Sequence, residues 1–323
     1  MTSAVELTTP EACPRCEGEG YRTLYRGADR LYRTTTRNFS VIECSSCGLM
    51  RLDPFPTQEE LRSFYPENYW WEHDDSAVNR LAEMYRRVVM GDHVRFARAA
   101  VEADGRLLDV GCGGGSFLAA MVEHGVDCFG SDFSAKAAAQ CLRHAEAPAV
   151  CAQLPRLPFQ PHSFQTVTMF HVLEHLPDPV SAVEAVAELL PPGGRFIVQT
   201  PNASCWQLLL LGDRWNGLDV PRHLINFRSE DLEELLEGCG FDVLRRKYFS
   251  LRDNPAGLAA SLCPDLEPVA RRMRGVSESP QKQALKSALF FALTVAAVPF
   301  TLLEAAGAAG STIMIDAVRR GRR

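Results

Sequence analysis

Beyond Gly105 the chain alternates short apolar runs with stretches whose apolar residues recur every three or four positions, the pattern of strands interleaved with amphipathic helices. Strands are predicted at Arg106–Val110, Val126–Ser131, Ala149–Cys151, Gln165–Phe170, Arg195–Gln199, Phe241–Phe249 and Thr312–Ala317. Helices are predicted at Ser116–His124, Ser134–His144, Pro179–Leu190 and Ser229–Cys239. Such alternation specifies an α/β fold, a parallel sheet with helices on both faces. Upstream, the rigid run Asp53-Pro54-Phe55-Pro56 leads into helical character from Gln58 to Tyr65, then an aromatic run of Tyr65, Tyr69, Trp70 and Trp71. Ala77–Ala103 reads as one helix or two, with Leu81, Met84, Tyr85, Val88 and Val89 on its apolar side. The chain thus divides into a unit over 1–66, a helical connection over 67–104 and an α/β domain over 105–323, which carries an apolar insertion at about 251–310.

Within that insertion, Ser287 to Leu303 carries no charge and follows Arg271, Arg272, Arg274, Lys282 and Lys286. A membrane-spanning helix needs roughly 20 apolar residues; this run is shorter and contains Pro299. The expectation is a packed helix pair covering the substrate. A shallow contact of 287–303 with a membrane surface is the alternative that the basic flank supports.

Composition narrows the class. A hydrophobic content of 46% and charged content of 23% fit a soluble globular protein, and a formal charge of −6 lacks the basic field of a nucleic-acid binder, so no nucleic-acid partner is expected. Met1 to Pro10 shows neither a basic nor an apolar leader segment, so a cytoplasmic setting with reduced thiols is expected, with membrane association as a variant of it. Seven of the 11 cysteines, Cys112, Cys128, Cys141, Cys151, Cys205, Cys239 and Cys263, sit among apolar residues and read as small buried hydrophobes. The other four form two knuckles, Cys13-Pro-Arg-Cys16 and Cys44-Ser-Ser-Cys47, separated by a polar, strand-like stretch. Four thiolates in that arrangement predict a closed, structural zinc site with no open position for catalysis.

A glycine-rich turn, Gly111 to Gly115, joins the first predicted α/β strand to its helix and lets a ligand approach the backbone. Two details separate it from a dinucleotide loop. Ser116 stands where a GxGxxG pattern needs glycine, and Asp109 places a carboxylate where a pyrophosphate would be repelled and a cationic amino-acid end welcomed. S-adenosylmethionine carries that ammonium and no phosphate. Asp132, twenty-one residues after Gly111, lies where a carboxylate accepts from ribose hydroxyls; a helix-start acid before the N-cap Ser134 is its alternative role.

The runs LLDVGCGGGSFL, GSDFS, LPF at Leu157 to Phe159, HVLEHLPDP at His171 to Pro179 and LPPGG at Leu190 to Gly194 together resemble the class I S-adenosylmethionine-dependent methyltransferase family over about residues 105–200. The resemblance implies a Rossmann-like seven-strand sheet with the cofactor across its carboxyl edge. It also implies that Asp109, Gly111, Cys112, Gly113 and Gly115 form the loop, that Asp132 binds ribose and that Phe133 flanks the adenine. Gln153 and Leu154 would hold the adenine edge, and His171 would face the methionine end. Gln153 stands where the family often has an acid. Gln165 replaces a usual aspartate, a departure assigned to strand capping. The stretch CSSCGLMRLDPFPTQEELRSFYPENYW is similar to zinc-knuckle units fused to bacterial methyltransferases of sugar, polysaccharide and natural-product pathways.

Methyl transfer to a hydroxyl needs alignment and removal of a proton. His223, in the polar run Asp219-Val220-Pro221-Arg222-His223, is the preferred base, with a backbone hydrogen bond as its alternative use; His171 and Glu174 are the other candidates, and His175 is expected to pack at a helix start. Trp206, Trp215 and Asn216 are expected to meet the acceptor. These readings predict methyl transfer to oxygen, before carbon or nitrogen, of a small metabolite, sugar or lipid-linked intermediate. The competing readings are a nucleotide-fold dehydrogenase, opposed by Asp109 and Ser116, and a zinc-ribbon interaction protein with a non-catalytic domain.

Overall fold

A computed structural model describes residues 12–65, 89–102 and 104–321. Tyr69, Trp70, Trp71 and the predicted helix before residue 89 lie outside the described residues. Strands β1 (Tyr21–Gly27), β2 (Phe39–Cys44) and β3 (Met50–Asp53) form an antiparallel meander, followed by helix α1 (Gln58–Ser63). Thr57 and Glu60 start α1 with a reciprocal capping box. Residues 89–98 are helical (α2).

The second sheet has seven strands. Its elements are β4 (Arg106–Val110), α3 (Ser116–Glu123), β5 (Asp127–Asp132), α4 (Ala135–Ala145), β6 (Ala149–Cys151), β7 (Thr166–Phe170), α5 (Pro179–Leu189) and β8 (Arg195–Pro201). After β8 come α6 (Trp206–Leu211), a two-residue strand β9 (Ile225–Asn226), α7 (Ser229–Gly238) and β10 (Phe241–Lys247). Three helices, α8 (Asn254–Leu262), α9 (Pro268–Met273) and α10 (Pro280–Ala306), precede β11 (Thr312–Arg319). The strand order is β10-β11-β8-β7-β4-β5-β6, parallel from β6 to β8. Ser134 caps α4 through the Ala137 amide, as its sequence position predicts. Gln165 Oε1 accepts from the Arg106 amide at 2.9 Å, the strand-capping use expected of it.

Three expectations need correction. The sheet is mixed, because β11 runs antiparallel between β8 and β10. Thr312 pairs with Pro201 at the end of β8, so the insertion leaves and re-enters the sheet at its carboxyl edge, which makes the returning strand antiparallel. Second, α10 runs through Pro299 for 27 residues, losing one backbone hydrogen bond without ending. Third, Cys151 is exposed at the edge strand β6, and Cys239 and Cys263 are only half-buried; the small-hydrophobe reading fits Cys112, Cys128, Cys141 and Cys205.

Apolar layers cover both faces of the sheet. Leu107, Phe117, Leu118, Met121 and Cys141 pack with α2 on one side, and Leu108, Val167, Val183, Phe196 and Leu232 on the other. The small sheet is closed by the α/β part of the chain, since β3 pairs with β9 through Met50–Asn226 and Arg51–Ile225. It therefore continues across the boundary drawn at residue 66.

Candidate active site

The carboxyl ends of β4, β7 and β8 open into a cleft of about 890 Å³ that the insertion roofs. Gly111, at φ +76°, starts the loop, and a Cβ there would stand 2.2 Å from Val172 Cγ2, so the backbone conformation and the space both require glycine. Gly111 and Cys112 donate their amides to Ser131 O at 2.7 and 3.0 Å, which fixes the loop against β5. Gly113 and Gly115 are also left-handed, and Gly115 precedes α3 as its N-cap. The Cys112 thiol is turned into the core, so only its backbone faces the loop.

Asp109 borders the cleft, its Oδ1 accepting from Thr168 Oγ1 at 2.7 Å. Burial, with the nearby Asp132 charge, pushes its carboxyl up to about 7 against that hydrogen bond. Asp132 is 2% exposed; its two oxygens accept the amides of Gly113 at 3.0 Å and Ser134 at 2.8 Å. A carboxylate has about four lone-pair sites, so two remain after those bonds. Phe133 is exposed beside Tyr65, ring centroids 6.0 Å apart, and Gln153 is exposed as well. The Leu154 side chain belongs to the core, leaving its backbone as the part a ligand can meet.

Deeper in the cleft His171 lies between two acids, Nδ1 3.2 Å from Glu174 Oε1 and Nε2 3.4 Å from Asp253 Oδ2. Burial alone would lower its pKa, but Asp253 and Glu174 push it up to about 9. Gln199 Nε2 also lies 2.7 Å from His171 Nε2 and 2.8 Å from Asp253 Oδ2, so both ring nitrogens of His171 are engaged within the protein and neither is left open to receive a substrate proton. The same pairing holds the Glu174 carboxyl low despite its burial, and a carboxylate engaged by an imidazolium is a weak proton acceptor. Burial and the neighbouring His223 drive His175 down to about 4; its Nδ1 meets Arg222 O at 2.9 Å, and it borders the cleft at the end, not the start, of the one-turn helix Leu173–His175.

His223 Nδ1 is 2.8 Å from Gly217 O. A carbonyl only accepts, so Nδ1 carries the hydrogen, and in the neutral ring Nε2 keeps its lone pair. Glu174 Oε1 and Asp219 Oδ2 lie 4.0 and 3.8 Å from Nε2. His223 borders the cleft, as do Trp215 and Asn216, whereas Trp206 faces Phe300 of α10 outside it. Sequence reasoning missed Leu31, Tyr32 and Asp253, which line the cleft from the N-terminal unit and the insertion. It also missed Arg222. This fully buried side chain bonds Asp29 at 2.8 and 3.0 Å and Asp219 at 2.6 and 3.0 Å, and lies over the Tyr32 ring.

The four predicted zinc ligands converge. Cys13 and Cys47 sulfurs are 3.6 Å apart, as are those of Cys16 and Cys44, and all four lie within 4.8 Å of one another. Tetrahedral zinc–sulfur bonds of about 2.3 Å place sulfurs roughly 3.8 Å apart.

A family model described as a methyltransferase domain matches residues 82–246, about half of the chain. The chain belongs to this family. The methyltransferase is 34% identical to the ubiquinone biosynthesis O-methyltransferase of Pectobacterium carotovorum over 50% of this chain and 72% of that one. It is also 34% identical to the protein of that name from Nitrosospira multiformis, over 61% of this chain and 85% of that one. For the Albidiferax ferrireducens relative, 41% identical, the match spans 42% of its length. Among solved structures, the geranyl diphosphate C-methyltransferase from Streptomyces coelicolor aligns at TM-score 0.48 with 15% identity, covering 77% of this chain and 84% of that one. The protein is thus an S-adenosylmethionine-dependent methyltransferase. The buried Asp109 carboxyl, the left-handed glycines and the Asp132 carboxylate fit this cationic cofactor.

Proposed function

We propose that the enzyme methylates a hydroxyl oxygen of a small, largely apolar or lipid-linked acceptor, with His223 as the base. The observation that carries this reading is the Nδ1 bond of His223 to Gly217 O, which leaves Nε2 to receive the proton. The O-methyltransferase name of the relatives supports oxygen as the target. Tyr32, Trp215 and Phe290 along the cleft support an acceptor with an apolar or aryl part, and Asn216, Arg252 and Glu267 beside them supply groups for its polar end.

S-adenosylmethionine, when bound, supplies the methyl group on a cationic sulfonium. Asp109 would hold its ammonium, Asp132 its ribose, and Phe133 and the Leu154 backbone would flank the adenine with Gln153 beside them. His171, placed between Glu174 and Asp253, would face the methionine end of the cofactor. The direct test is the mass shift of candidate hydroxyl compounds incubated with enzyme and cofactor. A gain of one methyl on an apolar phenol or lipid-linked alcohol is expected, and methylation only at carbon or nitrogen contradicts the reading.

Asp132→Ala is expected to weaken the cofactor by about 1–3 kcal/mol in titration calorimetry, the worth of hydrogen bonds to a charged acceptor. Unchanged affinity would leave Asp132 with the loop amides alone.

Cys13, Cys16, Cys44 and Cys47 are proposed to hold one structural zinc. Elemental analysis of the purified chain is expected to find one zinc per molecule, and none after Cys13→Ser with Cys44→Ser. Full occupancy in that variant would remove the site.

A further inference from the structure

Helix α10 is built inside out. Its buried positions are Thr294, Ala297, Thr301 and Glu304, spaced three and four residues apart along one stripe. Its outward positions Leu289, Phe291, Val295, Leu302 and Leu303 are apolar and 47 to 65% exposed. The most apolar 18-residue stretch has a mean hydropathy of 1.9, yet only 22% of it is buried. A water-facing helix shows the reverse arrangement, polar side out. Polar groups of α10 are instead satisfied inside: Gln207 donates its amide and Nε2 to the two Glu304 oxygens, each at 2.9 Å. The apolar surface extends onto α6, where Trp206 meets Phe300, and Leu209 and Leu210 are 81% and 67% exposed.

We infer that this face of α10 and α6 docks on a lipid bilayer, with α10 lying along the membrane surface. Chemistry favours lipid over a second copy of the chain. Protein interfaces carry about one hydrogen bond per 100–200 Å², but the outward positions from Ala288 to Leu303 offer no hydrogen-bonding side chain. Acyl chains require none. Lys282, exposed at the start of α10, suits anionic headgroups at the edge of the contact, whereas Lys286 is paired with Glu278 at 2.6 Å. A span is opposed by the inner side of α10, where Phe290 and Thr294 line the cleft and Glu304 is held by Gln207. Docking would set the Phe290 and Phe291 rim of the cleft at the lipid boundary, so an apolar acceptor could pass from bilayer to site without crossing water. That consequence rests on the proposed acceptor class; the docking does not.

The test is sedimentation of the full chain with vesicles of phosphatidylcholine and phosphatidylglycerol. The wild type is expected to co-sediment, and Val295→Glu with Leu302→Glu to lower the partition coefficient about tenfold or more. Both positions face outward, so melting temperature and cofactor affinity should be unchanged. Wild-type protein left in the supernatant, or equal sedimentation of the variant, overturns the inference. So does a lipid-independent dimer that the variant dissociates, if vesicle binding is lacking, because the face then belongs to a second copy. Recovery from alkaline-washed cell membranes only in detergent would also overturn it, in favour of a span.

Discussion

His223→Ala should lower the single-turnover rate of methylation by about 10²–10⁴ while cofactor affinity stays within error. The reasoning rests on one ring with two different duties. Nδ1 is committed to Gly217 O at 2.8 Å, so the neutral imidazole has a fixed tautomer and a fixed direction for Nε2. Asp219 and Glu174 stand within 4.0 Å of Nε2 and border the path to it. No atom of this arrangement belongs to the glycine loop, which is why affinity should be spared. Quenched-flow measurement with an acceptor found by the mass-shift screen supplies the rate, and calorimetry the affinity. A wild-type rate in the variant would return proton removal to His171, Glu174 or solvent.

Asp29→Ala should destabilise the full chain by about 3–5 kcal/mol, the cost of leaving a buried charge short of a partner. Arg222 is fully buried and shares its guanidinium between Asp29 and Asp219. Although burial raises the Asp29 carboxyl, Arg222 and Thr34 bring it down to about 2. A folded-state value below the unfolded one, near 3.9 for aspartate, gives stability that is complete above about pH 4 and lost as pH falls toward 2. Urea unfolding at pH 7 should show the full deficit, and repetition toward pH 3 should narrow the gap between wild type and variant. A deficit that is constant with pH would mean that packing, not charge, is lost. Because Arg222 adjoins His223 and its carbonyl meets His175, the variant should also turn over more slowly than its folded fraction accounts for.

The parts of this fold and site that were legible in the sequence are those set by local chemistry. The glycine loop, the Ser134 cap and the Gln165 strand cap depend on residues near in sequence and on backbone preferences that composition reveals. The cysteine knuckles were legible because metal-ligand spacing is itself local. Asp253, Tyr32 and Arg222 were not, because their value comes from three remote segments meeting over one sheet edge. The antiparallel course of β11 was hidden for a related reason. Its own residues are buried on both sides like those of any central strand, and the direction is decided by the α8 to α10 excursion that separates it from β10. Two residues, Ile225 and Asn226, carry too little periodicity to announce β9.

That short strand governs how the protein can be made and cut. Met50 and Arg51 find their pairing partners only at residues 225 and 226, so during translation the β3 edge waits with open amides and carbonyls until residue 226 has emerged. A fragment ending near residue 66 would keep that edge open permanently, together with the apolar side chains of Val41 and Leu52 that later segments cover. Expression trials on the cysteine unit alone should therefore give aggregates unless the stretch around β9 is fused back onto it.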